Sequence, residues 1–201
     1  VTAATNTKAY DGTTSAAATP TITTGTLVTG DTGNFTEAYA NNGAGTAKTL
    51  TPTGVVNDGN GGRNYAVTFV NNTTGAISTV PLTVSANNVT SVAGQNLPVF
   101  TTASITGFVN GETSSVLSGS LVFTTPASSS SPAGTYIITP SGLSSTNFTI
   151  SYVPGTLTIT PNNLDASRAT VNSPQVEHAF PDPTEKNSVE ILNGGLNTGG
   201  I

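Results

Sequence analysis

The chain contains no cysteine, methionine or tryptophan, and its single histidine is His178. Without cysteine there is no disulfide framework, thiolate zinc cluster or thiol nucleophile. A Ser-His-Asp arrangement would need a shaped pocket around His178, which sits among turn-forming residues near the end of the chain. No catalytic residue is therefore assigned, and the chain is expected to be neither an enzyme nor a cofactor carrier. Charge is also scarce, at 7% of residues where an average domain has roughly 25%. The net charge of −5 provides no basic surface to follow a phosphate backbone. No apolar run is long enough to span a bilayer, and no basic-then-apolar leader is present. Beginning at Val1, the chain reads as a piece of something longer whose targeting information lies outside it.

What fills the composition instead is threonine, about a fifth of the residues, together with serine, asparagine and 22 glycines. Threonine is β-branched and suits strands, whereas Asn, Gly and Pro suit turns. Hydrophobic residues at 35% with so little charge argue against disorder. The expectation is an all-β chain with many turns, and no window of 11 or more residues shows helical periodicity.

An internal repeat sets the organisation. Asn64-Tyr65-Ala66-Val67-Thr68-Phe69-Val70 matches Asn147-Phe148-Thr149-Ile150-Ser151-Tyr152-Val153 in order and alternation. Each run is followed by a turn and a second run, Gly75–Pro81 and Gly155–Pro161. The turn between them, Asn71 to Thr74 in the first copy, shrinks to Pro154 in the second, as a hairpin loop allows. The pattern predicts two tandem immunoglobulin-like β-sandwich domains, 1–80 and 81–160, and a mostly irregular polar tail, 161–201. In the second domain strands are predicted at Leu82–Ser85, Pro98–Ile105, Leu121–Thr124, Thr135–Thr139, Asn147–Val153 and Thr156–Thr160. Val99, Phe123, Ile137, Phe148, Ile150, Tyr152, Leu157 and Ile159 are the predicted inward positions.

Several stretches carry a family resemblance. Lys8-Ala9-Tyr10-Asp11-Gly12-Thr13-Thr14, with Gly54–Gly62 running into Asn64-Tyr65, resembles the YDG repeat family. Pro81-Leu82-Thr83-Val84, Gly107–Thr113, Val116–Leu121 and Gly134-Thr135-Tyr136 resemble the MBG (mostly bacterial immunoglobulin-like) family. The resemblance implies tandem β-sandwich repeats of large filamentous-haemagglutinin-like adhesins, secreted to the bacterial surface through a partner barrel. It implies a non-catalytic stalk or spacer in a surface or biofilm-matrix adhesin, with direct adhesion as the alternative. The partners to expect are then other repeats of the same chain, a host or matrix glycan, or an identical chain; nucleic acid and a membrane span are not expected. The absence of Trp and the 6% of aromatics count against a sugar-stacking platform.

Asn57, Asp58 and Asn60 form an oxygen-rich, glycine-rich loop that could hold calcium weakly, but one carboxylate compensates little charge, and a tight turn explains the same letters. In Tyr10-Asp11-Gly12, Asp11 is expected to cap a turn, Gly12 to supply an unusual backbone conformation and Tyr10 to pack across a sandwich edge. Lys8 and Lys48, with Asn and with Glu37 or Asp31, raise a Lys–Asn covalent staple, against ordinary solvated lysines. Asn34, Asn71, Asn72, Asn88 and Asn147 each head an Asn-x-Ser/Thr triplet, a pattern frequent by chance in so threonine-rich a chain. Alternating Thr156, Thr158 and Thr160 read as the solvent side of a strand. The tail carries seven of the chain's fifteen ionised side chains, and Pro174, Pro181 and Pro183 interrupt its middle. Only Ser188–Leu192 alternates like a strand; Val189, Ile191 and Leu192 are the expected apolar contacts of a tail that caps a sheet edge or serves as an anchor.

Overall fold

The computed structural model describes residues 1–101 and 103–162, together with the backbone of 190–192 and 195–197. Strands dominate, as the composition requires, and among the described residues the only helical element is a 3-10 turn at Ser114–Val116. Residues Val1–Thr160 form one compact unit and Pro161–Ile201 a second. The expected boundary between 80 and 81 lies inside the first unit, where one strand runs almost directly into the next.

The first repeat builds a four-stranded sheet from β1 (Thr7–Ala9), β2 (Thr32–Tyr39), β3 (Gly45–Asn57) and β4 (Asn72–Ser78), in the order β1-β4-β3-β2. Period-two alternation explains which face is covered: on β2, Phe35, Glu37 and Tyr39 point inward while their neighbours are exposed. After Thr79 the chain enters β5 (Val80–Ala86), which buries Leu82, Val84 and Ala86 by the same alternation. The second repeat continues with β6 (Val89–Val92), β7 (Ala103–Thr106), β8 (Ser118–Thr124), β9 (Gly134–Ser144), β10 (Phe148–Val153) and β11 (Gly155–Thr160). These form a three-stranded sheet, β10-β5-β7, and a four-stranded one, β6-β11-β9-β8.

The two four-stranded sheets are built alike. Each holds an antiparallel hairpin (β2–β3 or β8–β9), an antiparallel partner for its long strand (β4 or β11), and a short parallel strand on that partner (β1 or β6). The β8–β9 ladder shifts register between Gly119 and Val122. Gly119 and Gly142 face each other there at φ 86° and 94°, and a Cβ on either would lie 2.2 Å from a carbonyl oxygen of the opposite strand. Only glycine permits that backbone approach.

Two apolar clusters stabilise the unit. One gathers Ala3, Tyr10, Tyr39, Leu50 and Ile77 of the first repeat with Leu82 and Phe148 of the second. The other, within the second repeat, is Ala86, Ile138, Leu157 and Ile159 with Phe123 and Tyr136 against it. Phe148, Leu157 and Ile159 are therefore inward, as predicted. Two predicted inward residues are not: Val99 is 84% exposed and Ile137 49% exposed. Ile138 fills the core position because β9 pairs Ile138 with Gly155 and Tyr136 with Leu157, which puts even-numbered residues on the covered face. Val99 belongs to no strand; Pro98 and its neighbours are irregular, and pairing begins only at Ala103. Absent from the predicted strands is β6, a four-residue strand that one parallel neighbour holds in place.

In the second unit, β12 (Glu190–Leu192) and β13 (Gly195–Asn197) pair antiparallel. The strand expected near Ser188–Leu192 thus exists at Glu190–Leu192. Val189, and the side chains of Ile191 and Leu192 to which the capping role was given, lie outside the described residues, as does His178.

Candidate functional site

The most fully built polar and aromatic arrangement lies where the two repeats meet. Tyr10 follows directly on β1 and its ring stands edge-on to Phe148, centroids 5.5 Å apart; Phe108 meets the same Phe148 ring edge-on at 5.7 Å. Both geometries suit the aromatic quadrupole. The Tyr10 hydroxyl donates to Glu112 Oε1 at 2.6 Å. That hydrogen bond, then burial, raises the phenol above its ordinary 10.0, because a neighbouring carboxylate disfavours a phenolate. Glu112 Oε2 is buried and accepts no bond among the described residues.

The turn that aims Tyr10 is local chemistry. Asp11 Oδ1 accepts from the Thr13 amide at 2.9 Å and from Lys8 Nζ at 2.7 Å. Lys8, with the turn amide, pulls the Asp11 carboxyl down to about 2. Gly12 follows at φ 75°, where a Cβ would press on Asn110 Cβ at 3.0 Å. All three residues hold the roles expected of Tyr-Asp-Gly, but the surface that Tyr10 packs on belongs to the other repeat. A second bridge completes the joint: Asn147 Oδ1 accepts from the Ala44 amide at 3.0 Å.

The remaining candidates are dispersed. Asp58 Oδ1 accepts from the amides of Asn60 and Gly62, both at 2.8 Å, and Oδ2 from that of Asn64 at 3.1 Å. The bond from Gly62 comes first among the causes that hold its carboxyl below the usual range. The carboxylate is thus spent on organising its own turn. Among the described residues no three acidic or histidine side chains gather as a metal-binding group. Lys8 bonds Asp11 and Thr13, Lys48 bonds Asn41, Glu37 accepts from the Ala4 amide and Asp31 from the Tyr65 phenol. The lysine, asparagine and carboxylate of a covalent staple are not brought together by these bonds. Of the Asn-x-Thr positions, Asn72 and Asn88 accept from the amides of Thr74 and Thr156 in addition to the engagement of Asn147, while Asn34 and Asn71 are exposed.

A cleft of about 390 Å³ opens at another edge of the first repeat, lined among others by Ile22, Leu27, Phe35, Val56, Tyr65 and Val70. Sequence reasoning did not single it out. Directly after its lining residue Leu27 comes Val28-Thr29-Gly30-Asp31-Thr32, a stretch that repeats as Val109-Asn110-Gly111-Glu112-Thr113.

The second repeat, with its mixed sheets and its covered Phe148, is the part of the chain that a family comparison matches. Residues 82–158 match the family model of the MBG domain (YGX type). The MBG domain is a repeat module suggestive of bacterial surface proteins. The match starts at Leu82, two residues into β5, and ends at Thr158 in β11, so it covers both sheets of the second repeat. No curated protein matches the chain. No solved structure matches it either. Among the described residues no helix is long and apolar enough to cross a membrane.

Proposed function

We propose that the chain is a non-catalytic stalk segment of a secreted bacterial surface adhesin, in which a YDG-type repeat, residues 1–80, precedes an MBG repeat, residues 81–160. One observation carries this reading: parallel pairs join the opening strands of each repeat to its closing strands. β1 pairs parallel with β4, β5 with β10 and β6 with β11. Parallel neighbours run in the same direction, so the chain enters a repeat at one end and leaves at the other. Repeats joined this way lengthen the molecule instead of folding it back. The Tyr10–Phe148–Glu112 joint then limits bending between neighbours, and the scarcity of charge and aromatic side chains suits a spacer better than a recognition face.

The reading is tested by screening the purified chain on a glycan array and by light scattering across concentration. A stalk gives no saturable glycan binding and no concentration-dependent association. Saturable binding that free sugar competes away would make the segment an adhesion module, and reversible self-association would make it a self-adhesive one.

A further inference from the structure

The joint between the repeats has an uncovered counterpart in the first repeat. The turn Val109–Glu112 is closed by the Glu112 amide donating to Val109 O at 2.9 Å; the turn Val28–Asp31 is closed by the Asp31 amide donating to Val28 O at 3.0 Å. Both turns read Val-x-Gly-acid-Thr, and the glycines Gly111 and Gly30 are left-handed at φ 73° and 103°. Besides the acid, Asp in one and Glu in the other, they differ at one position, where Asn110 is left-handed and Thr29 is not. Phe108 precedes one turn and Leu27 the other, and by the strand match Phe148 corresponds to Tyr65. In both places the acid accepts a phenol, Glu112 from Tyr10 and Asp31 from Tyr65, the latter through Oδ2 at 2.5 Å.

Cover is what distinguishes them. Under Tyr10, Phe148 is only 3% exposed, and Phe108 and Val109 are half-buried. In the first repeat Val28 is 68% exposed, and Leu27 and Tyr65 line the open cleft. The strand lane beside it corresponds too. Val153 pairs parallel with Ser85, and Val70 forms a parallel bridge with Thr2, so Val1-Thr2-Ala3 takes the place of Val84-Ser85-Ala86. In the second repeat Val80–Thr83 then runs beside Phe148–Ser151.

From this correspondence we propose that the cleft is a docking socket for another repeat of the first type, carried in front of Val1. Its Tyr-Asp-Gly turn seats on Leu27, Val28 and Tyr65, and its tyrosine hydroxyl donates to the Asp31 carboxylate, of which Oδ2 already accepts from Tyr65. The occupant is specified by the one joint already seated, in which the same turn covers the matching residues. The inference deepens the stalk reading and rests on it: an array made of such joints is stiff at each step.

The test adds residues 1–83 in front of Val1 of the full chain, so that the added Thr83 leads into Val1 as Thr83 leads into Val84. Amide hydrogen exchange is compared between the extended and the original chain. Docking slows exchange at Leu27–Asp31 and Tyr65–Thr68 on the order of tenfold or more. Replacing Val28, exposed as it is, by arginine leaves the melting of the original chain unchanged, yet in the extended chain it abolishes the slowing. Equal exchange in the two chains, slowing that survives Val28→Arg, or an added repeat that stays unprotected along its own length each overturns the proposal. Such a failure is separate from failure of the stalk reading, which the glycan array decides on the original chain; a stalk with loose joints would fail here and pass there.

Discussion

The two repeats share a four-stranded sheet and part company beside it. In the second, β5 is held between β10 and β7, with six residue pairs on one side and four on the other. In the first, the corresponding region is reduced to single bridges, Thr2 with Val70 and Thr2 with Thr21. Tyr65–Val70 has the same alternation as Phe148–Val153 and nonetheless forms no ladder, because a strand is completed by the neighbour that satisfies its edge. The difference extends to the side chains: Phe148 is sealed by Tyr10 and Phe108, while Tyr65 lies half-buried at a cleft, its hydroxyl on Asp31. One sequence pattern thus gives a closed joint where a partner strand and a partner turn are present and an open one where they are not.

The contrast is sharpest at the paired aromatic positions. Phe148→Ala should destabilise the chain by about 3–5 kcal/mol, the range for emptying a buried aromatic site. Tyr65→Ala should cost about 1 kcal/mol, because its ring is already partly in water. Urea unfolding of the two variants decides; equal losses would mean that the two positions are equally covered.

A smaller effect separates the phenols. Tyr10→Phe removes the bond that Glu112 Oε1 accepts, beside an Oε2 that is buried and has no partner among the described residues, a loss of about 1–3 kcal/mol. Tyr65→Phe should change stability by no more than about 0.5 kcal/mol. The alkaline limb adds a check. The Tyr10 phenol is raised in the folded chain, so its contribution is complete below 10.0 and is lost as pH climbs through the higher folded value. Thermal melts across that range should fall more steeply for the unaltered chain than for Tyr10→Phe.

Acid probes the turn that carries Tyr10. The Asp11 carboxyl lies at about 2 in the fold against 3.8 when free, so its contribution is present above 3.8 and is lost as pH falls toward about 2. Its side chain is 47% exposed, which screens the pairing with Lys8 and holds the effect to about 0.5 kcal/mol. Asp11→Asn should flatten the acid limb of the melting curve by that small amount; an unchanged slope would show that the pairing contributes nothing.

The smallest effect is expected from calcium. With both oxygens of Asp58 taken by loop amides, millimolar calcium added to chelated protein should move the melting temperature by less than about 1 °C. A rise of several degrees would make the 57–62 loop a metal site and the first repeat a calcium-stiffened one.

The residues alone carried the all-β class, the repeat, the turn chemistry of Asp11 and Gly12, and the inward places of Leu157 and Ile159. These follow from composition, period-two alternation and local turn preference, and they act over a few residues. Register and partnership were not legible in this way. Ile137 and Ile138 are alike as letters, and only the pairing of β9 with β11 turns one inward and the other outward. Val99 sits in an apolar stretch that nothing pairs with. Nothing in the sequence linked Glu112 to Tyr10, 102 residues away, until the fold brought them together. Alternation says that a strand has two faces, but which face is buried, and which strand receives a neighbour, depends on contacts between segments far apart in the chain, and those the tertiary structure decided.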